Sequence, residues 1–142
     1  MRIDILTLFP DTLGDVLSES ILGRAQERGY ISIEAHQIRD YTANKQNQVD
    51  DYPYGGGRGA IMQADPLYRC WEAVCDEAGG AVHTVYLSPC GHTFRQADAI
   101  RLSKLDNLIL DAMAISVGVG VGFGRAFSIE TVSVLTFYLC LI

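Results

Sequence analysis

An alternation constrains this chain more than any other feature: strand-like and helix-like segments follow one another from Arg2 to Leu110. Residues 2–8 (Arg-Ile-Asp-Ile-Leu-Thr-Leu) mix period-two alternation with β-branched residues and read as a strand ended by Phe9-Pro10. Leu13, Val16, Leu17, Ile21 and Ala25 recur at three- and four-residue spacing. This predicts one amphipathic helix, capped by Asp11 or Thr12 and stopped at Gly29. Ile31–Ala35 alternates as a second strand. Asp65-Pro66, a cap followed by proline at the first helical position, opens a helix that runs to about Ala78 and stops at Gly79-Gly80. Ala81–Leu87 is a third strand. Thr93 and Gln96 form a capping-box pattern opening a helix to about Leu105, and Asn107–Leu110 begins another strand. The order implies an α/β fold, a mostly parallel sheet with flanking helices. Ligands of such sheets bind beyond the carboxyl ends of the strands, so the loops after Leu8, Leu87 and Leu110 are the places to look.

Composition narrows the function classes. With 49% hydrophobic and 20% charged residues in 142, the chain is not disordered, collagen-like or a coiled coil, and one domain is expected. The net charge of −6 argues against a protein held on nucleic acid by bulk positive charge, while leaving room for a local RNA site. The charge is uneven. Residues 111–142 carry only Asp111, Arg125 and Glu130, so the last 32 residues read as a different kind of sequence. Arg2 and Asp4 interrupt the first apolar run, so no signal peptide is read and a cytoplasmic chain with reduced thiols is expected. Residues 126–142 are nearly all apolar or hydroxyl-bearing, but seventeen residues with Glu130 inside fall short of a membrane span; their β-branched residues favour a strand. No membrane partner is expected.

Several constellations bear on chemistry. Residues 39–59 are polar, glycine-rich and without period, and end in Val49-Asp-Asp-Tyr-Pro-Tyr-Gly-Gly-Gly-Arg-Gly59. Four glycines in five positions let a ligand approach backbone N–H groups, and Asp50 and Asp51 are hydrogen-bond acceptors for a base, a ribose or an amino group. No Gly-Lys-Ser/Thr follows, so this is not a nucleotide phosphate loop. Composition alone leaves a functional loop and a plain surface loop equally open. Tyr86-Leu87-Ser88-Pro89 follows a strand directly and offers backbone groups and apolar platforms for an adenine-like ring; an ordinary strand-to-loop turn is the plainer reading. Arg24 in Gly23-Arg24-Ala25 reads as a phosphate or subunit contact, or as a solvated side chain. Cys70, Cys75, Cys90 and His92 lack the tight spacing of a zinc site and are read as ordinary thiols and imidazole, with no metal. His36 and His83 are read as packed or exposed without a role. Val117–Gly124, with alternating glycines, is read as low complexity with no ligand.

Taken in order and spacing, these motifs resemble one family. The opening strand ending Leu8-Phe9-Pro10, then Gly23-Arg24-Ala25, Arg39-Asp40, Asp50-Asp51-x-Pro53-Tyr54-Gly-Gly-Gly-x-Gly59 and Tyr86-Leu87-Ser88-Pro89-x-Gly91 resemble the bacterial tRNA (guanine-N1)-methyltransferase family over about residues 1–110. The resemblance implies the knotted α/β fold of the SPOUT class, and a homodimer with active sites at the subunit interface. It implies transfer of a methyl group from S-adenosylmethionine to N1 of the guanosine just 3′ of the anticodon in tRNA. It places Tyr86, Leu87, Ser88 and Pro89 in the donor pocket, with Ile129 joining them. It places Asp50, Gly55, Gly56, Gly57 and Gly59 beside the target guanine and gives Arg24 a contact on the substrate side.

The chain also departs from the family. Tyr52 stands where arginine is common and Gln46 where histidine is common. After Leu110 the family continues with Cys-Gly and then Tyr-Glu-Gly-x-Asp, whereas this chain reads Asp111-Ala-Met113-Ala-Ile-Ser. Met113 falls where a donor-binding glycine is expected, and a match returns only at Phe127-Ser128-Ile129. The resulting expectation is a methyltransferase portion over 1–110 followed by a divergent apolar segment over 111–142, read from a shifted frame. The helical C-terminal domain, and with it the family's catalytic aspartate, is expected to be absent, so no catalytic residue is identified. Such a chain is expected to be weakly active or inactive. The alternative is a non-catalytic remnant that dimerises or binds tRNA.

Overall fold

The computed structural model describes residues 1–52, 60–111 and 128–132, the backbone alone at 88–90 and 128–132. Among them, five strands form one sheet in which every neighbouring pair is parallel. These are β1 (Arg2–Thr7), β2 (Ser32–Gln37), β5 (Val82–His92), β6 (Asn107–Asp111) and β7 (Ser128–Val132), in the order β2-β1-β6-β5-β7. Two-residue strands β3 (Asp50–Asp51) and β4 (Ile61–Met62) pair antiparallel apart from it. The helices are α1 (Pro10–Leu17), α2 (Ser20–Glu27), α3 (Ala64–Ala78) and α4 (Gln96–Leu102). The expected α/β class, a mostly parallel sheet with flanking helices, is what the chain adopts.

The strand period sorts side chains between two cores. Ile5, Val85, Leu87, Leu108 and Leu110 face Leu102 and Phe94, with Leu13, Leu17 and Ala99 of α1 and α4 packed over them. Leu6, Val82 and Ile109 face the other way, against Cys70, Trp71 and Val74 of α3 and against Ile38 and Val49. Both faces of the central strands are covered, which is why they read as near-continuous apolar runs. The Trp71 indole N–H donates to the Thr84 hydroxyl at 2.9 Å, so this buried donor is paired.

Several local expectations are corrected. The helix expected from Leu13 to Ala25 is two helices. The chain leaves α1 at Ser18, passes an extended Glu19 and re-enters with Ser20 at φ +55°. Polar groups stabilise the break. The Ser18 hydroxyl donates to the Asp15 carbonyl at 2.9 Å, and the Gln26 amide donates to the Leu17 carbonyl at 2.7 Å. Neither Asp11 nor Thr12 caps α1, because Pro10 is already its first residue. The expected stop at Gly29 holds: Tyr30 N–H bonds the Ala25 carbonyl and Gly29 N–H the Gln26 carbonyl, with Gly29 at φ +72°.

Helix α3 starts at Ala64, two residues before Pro66, since N–H groups of the first turn have no helical acceptor and proline forfeits nothing there. It stops at Gly79 as expected, at φ +64°. The strand expected to end at Leu87 runs on to His92, its pairing with β7 shifting register between Leu87 and His92. Helix α4 is capped not through Thr93 and Gln96 but by Asp98, whose carboxylate accepts the Arg95 N–H at 2.9 Å, and it ends at Leu102 rather than Leu105. The stretch expected to be without structure holds a 3₁₀ turn (Ile38–Tyr41) and strand β3.

The break between α1 and α2 yields a prediction. Gly23 is buried, and a Cβ there would overlap the Ser18 carbonyl. Alanine normally stabilises a helix relative to glycine by about 1 kcal/mol. Here Gly23→Ala is expected to do the reverse, destabilising by about 1–3 kcal/mol, because the obstacle is backbone. Urea unfolding measures the sign; stabilisation would show that the two helices are free to move apart.

Candidate active site

The carboxyl edge of the sheet is where the candidate residues gather. Parallel register places Leu6 of β1 and Tyr86 of β5 on either side of Asp111 of β6, so the three stand abreast. All lie on the α3 face. Asp111 is 5% exposed, a buried carboxylate on the last described residue of β6. Burial raises the pKa of the Tyr86 phenol, and the Asp111 charge adds to it. Burial pushes the Cys70 thiol of α3 up to about 12, again with Asp111 contributing. Tyr86, Asp111 and Cys70 thus form one electrostatic neighbourhood. Its thiol and phenol stay neutral near pH 7, so neither is poised as a nucleophile or base.

The other donor-pocket candidates divide. Leu87 is 6% exposed, its side chain packs in the core with Ile5 and Phe94, and it pairs with Val132 of β7 one row beyond the last β6 pair. Ser88 and Pro89 continue β5 beyond the row paired with Asp111. Ile129 of β7 stands opposite Thr84, two rows from Tyr86, or roughly 7 Å at the usual strand rise. Met113 and Val117–Gly124 lie outside the described residues.

On the substrate side, Asp50 is exposed in β3, and its carbonyl accepts the Gln48 amide at 3.0 Å. The Asp51 carboxylate accepts the N–H of its neighbour Tyr52 at 2.7 Å. Val49, 1% exposed, anchors this short ladder in the second core, and its carbonyl accepts the Gln63 N–H at 2.7 Å. Gly55, Gly56, Gly57 and Gly59 lie outside the described residues. Arg24 is exposed on α2, and its Nε donates to the Ser20 carbonyl of its own helix at 3.1 Å. No described contact joins it to Asp50 or Tyr86.

Sequence reasoning overlooked a second polar centre. Asp4 is fully buried. It accepts from the Arg2 guanidinium at 2.8 Å and lies 2.7 Å from His36 Nε2. Arg2 also reaches Glu77 at 3.0 Å and Glu34 at 3.7 Å. His36, read as packed or exposed without a role, is therefore a partner in a buried network. The signal was present. Arg2 and Asp4, like Glu34 and His36, are two apart on strands, and so share a face. Asp4, Glu34 and His36 bring ligand-type atoms within 4.8 Å of one another, yet the guanidinium already supplies the cation among them. Cys75 is pushed up to about 11 by burial, and Cys70 is buried in the core, so both behave as packed thiols.

The parallel sheet, with Tyr86 and Asp111 side by side at the carboxyl ends of β5 and β6, is that of a SPOUT-class methyltransferase. The crystal structure of tRNA (m1G37) methyltransferase from Aquifex aeolicus superposes with a TM-score of 0.70 at 25% identity, over 78% of this chain and 50% of that one. The family model described as tRNA (Guanine-1)-methyltransferase TrmD matches residues 1–115. A tRNA (guanine-N(1)-)-methyltransferase of Lachnospira eligens is 44% identical over 110 residues, covering 78% of this chain and 47% of its own. One of Chloroflexus aggregans is 50% identical over 112 residues, covering 78% and 43%. The chain belongs to the tRNA (guanine-1)-methyltransferase family, and it spans about half the length of the curated relatives it matches.

Proposed function

We propose that this chain is the N-terminal portion of a cytoplasmic, homodimeric enzyme that methylates N1 of the guanosine just 3′ of the anticodon in tRNA, with S-adenosylmethionine as donor. The observation that carries the reading is the family match over residues 1–115, which takes in β1, β5 and β6 and with them the row of Leu6, Tyr86 and Asp111.

The donor supplies an electrophilic methyl group on a sulfonium cation. The residues at the carboxyl edge fit such a group. A buried carboxylate at Asp111 suits a cation or a hydroxyl donor, and β5 backbone groups from Leu87 onward extend past the row paired with β6. In this reading the backbone of Leu87 and Ser88 holds the adenine edge, with Tyr86 and Pro89 as apolar platforms. Ile129 borders the pocket from the next strand. Asp50 and the glycines Gly55, Gly56, Gly57 and Gly59 hold the guanine, and Arg24 leaves its helix carbonyl to meet a tRNA phosphate. Attack by N1 requires its proton to be removed while the lone pair faces the methyl group, so orientation supplies much of the acceleration. Recognition through unstacked loop bases, rather than field strength, accommodates the acidic net charge. Exposed Phe9, Val16 and Ile21 offer an apolar surface to a second copy.

The test is incubation of the full chain with unmodified tRNA and methyl-labelled donor. Weak label, confined to N1 of that guanosine, is the expected result for a chain that spans about half the length of its relatives. Donor and tRNA both bound without label would instead favour a non-catalytic remnant, a reading favoured by the family match ending at residue 115 of 142. Calorimetric titration showing no donor binding overturns the assignment of Tyr86–Pro89.

A further inference from the structure

The geometry points to the Arg2–Asp4–His36 cluster as a pH-dependent latch that holds strand β2, and through it the base of the Asp50–Asp51 ladder, against the sheet. Among the described residues β2 is an edge strand with β1 as its one neighbour. Parallel register sets Asp4 opposite Glu34 and Leu6 opposite His36, so the imidazole and both carboxylates share the α3 face. The 2.7 Å contact between His36 Nε2 and Asp4 Oδ1 ties β2 to β1 through side chains. The tie extends onward. Two residues past His36, Ile38 is fully buried and packs in one cluster with Val49, which directly precedes Asp50.

The charges give the latch its sign. The charges that act on His36 are Asp4 on β1, Glu34 on β2 and Glu77 on α3, and Arg2 on β1 pairs with all three; Cys75 on α3 feels Asp4, and Tyr41 in the 3₁₀ turn feels Glu34 and Glu77. Three carboxylates therefore face one guanidinium, and a protonated imidazole supplies a second positive charge. The hydrogen bond to Asp4 raises the His36 pKa above 6.5, against the opposing effect of burial. Its stabilising contribution is complete below about pH 6.5 and is lost as pH rises through the folded value. Burial raises the Asp4 carboxyl, but hydrogen bonds from His36 and Arg2 outweigh it and hold its pKa below 3.8, so its contribution is lost only as pH falls through that lower value. Burial holds Cys75 and Tyr41 above their ordinary values, so neither ionises below pH 9. As pH rises above 6.5, His36 is the first of these groups to lose its proton.

Native-state hydrogen exchange on the full chain at pH 6 and pH 8.5, corrected for intrinsic rates, tests the latch. The opening equilibrium of the Ile33–Gln37 and Val49 amides is expected to rise severalfold with pH, while the Leu108–Leu110 amides change less. His36→Gln, which keeps a hydrogen-bonding group but cannot titrate there, is expected to abolish the difference. No rise in the wild type, or an equal rise in the variant, overturns the latch. Should His36→Gln fail to fold, an NMR titration of His36 in the wild type decides: a value at or below 6.5 overturns it. None of these outcomes bears on methyl transfer.

Discussion

Asp4→Ala is expected to lower the folding free energy by about 3–5 kcal/mol, the range for removing one partner of a buried ion pair. Arg2 would keep Glu77, but His36 would be left in a nearly buried site with its main acceptor gone. Much of the loss is thus the desolvation of groups left behind rather than the net worth of the contact. Replacing Asp4 and His36 together by apolar residues is therefore expected to cost less than Asp4→Ala alone. Trp71 is the one tryptophan and sits in the second core, so its fluorescence through urea unfolding reports both values. A loss below about 1 kcal/mol for Asp4→Ala would show that water reaches the carboxylate freely.

The second large effect is expected at Ile109. It is fully buried on β6, between β1 and β5, where both neighbouring strands and α3 surround it. Ile109→Ala removes three buried carbons and leaves a cavity that paired strands on both sides cannot collapse to fill. The expected destabilisation is about 3–5 kcal/mol, near the upper end for such truncations. A domain of this size has about 5–15 kcal/mol in total, so thermal unfolding of the variant should begin well below that of the wild type. An unchanged midpoint would mean that β6 is not central to the cooperative unit.

The α/β class was legible because the period changes cleanly between segments, and because glycines mark real stops. Gly29 and Gly79 both adopt the left-handed backbone that ends a helix. The split between α1 and α2 was not legible, since Leu13, Val16, Leu17, Ile21 and Ala25 keep helical spacing across it. What breaks the helix is local competition from Ser18 and Gln26 for backbone carbonyls, which periodicity does not record. At the site, Tyr86 was legible as a residue near a strand's carboxyl end. Asp111 was passed over as the first residue of the divergent segment, although pairing with Tyr86 brings it into the same row. The Asp4–His36 contact depends on which strand lies beside which, and a one-residue change of register would turn one partner to the opposite face.

The position of β1 in the sheet has a consequence for synthesis on the ribosome. β1 is made before the other strands of this sheet, yet one of its edges pairs with β6, so Arg2 waits for Asn107, roughly 100 residues later in the chain. Until then the nascent chain has β2 on one side of β1 and an apolar, unpaired edge on the other. That half-built sheet is the form most open to chaperone capture or to pairing with another nascent chain, and mutations that slow β6 docking should reduce yield before they reduce the stability of the finished fold.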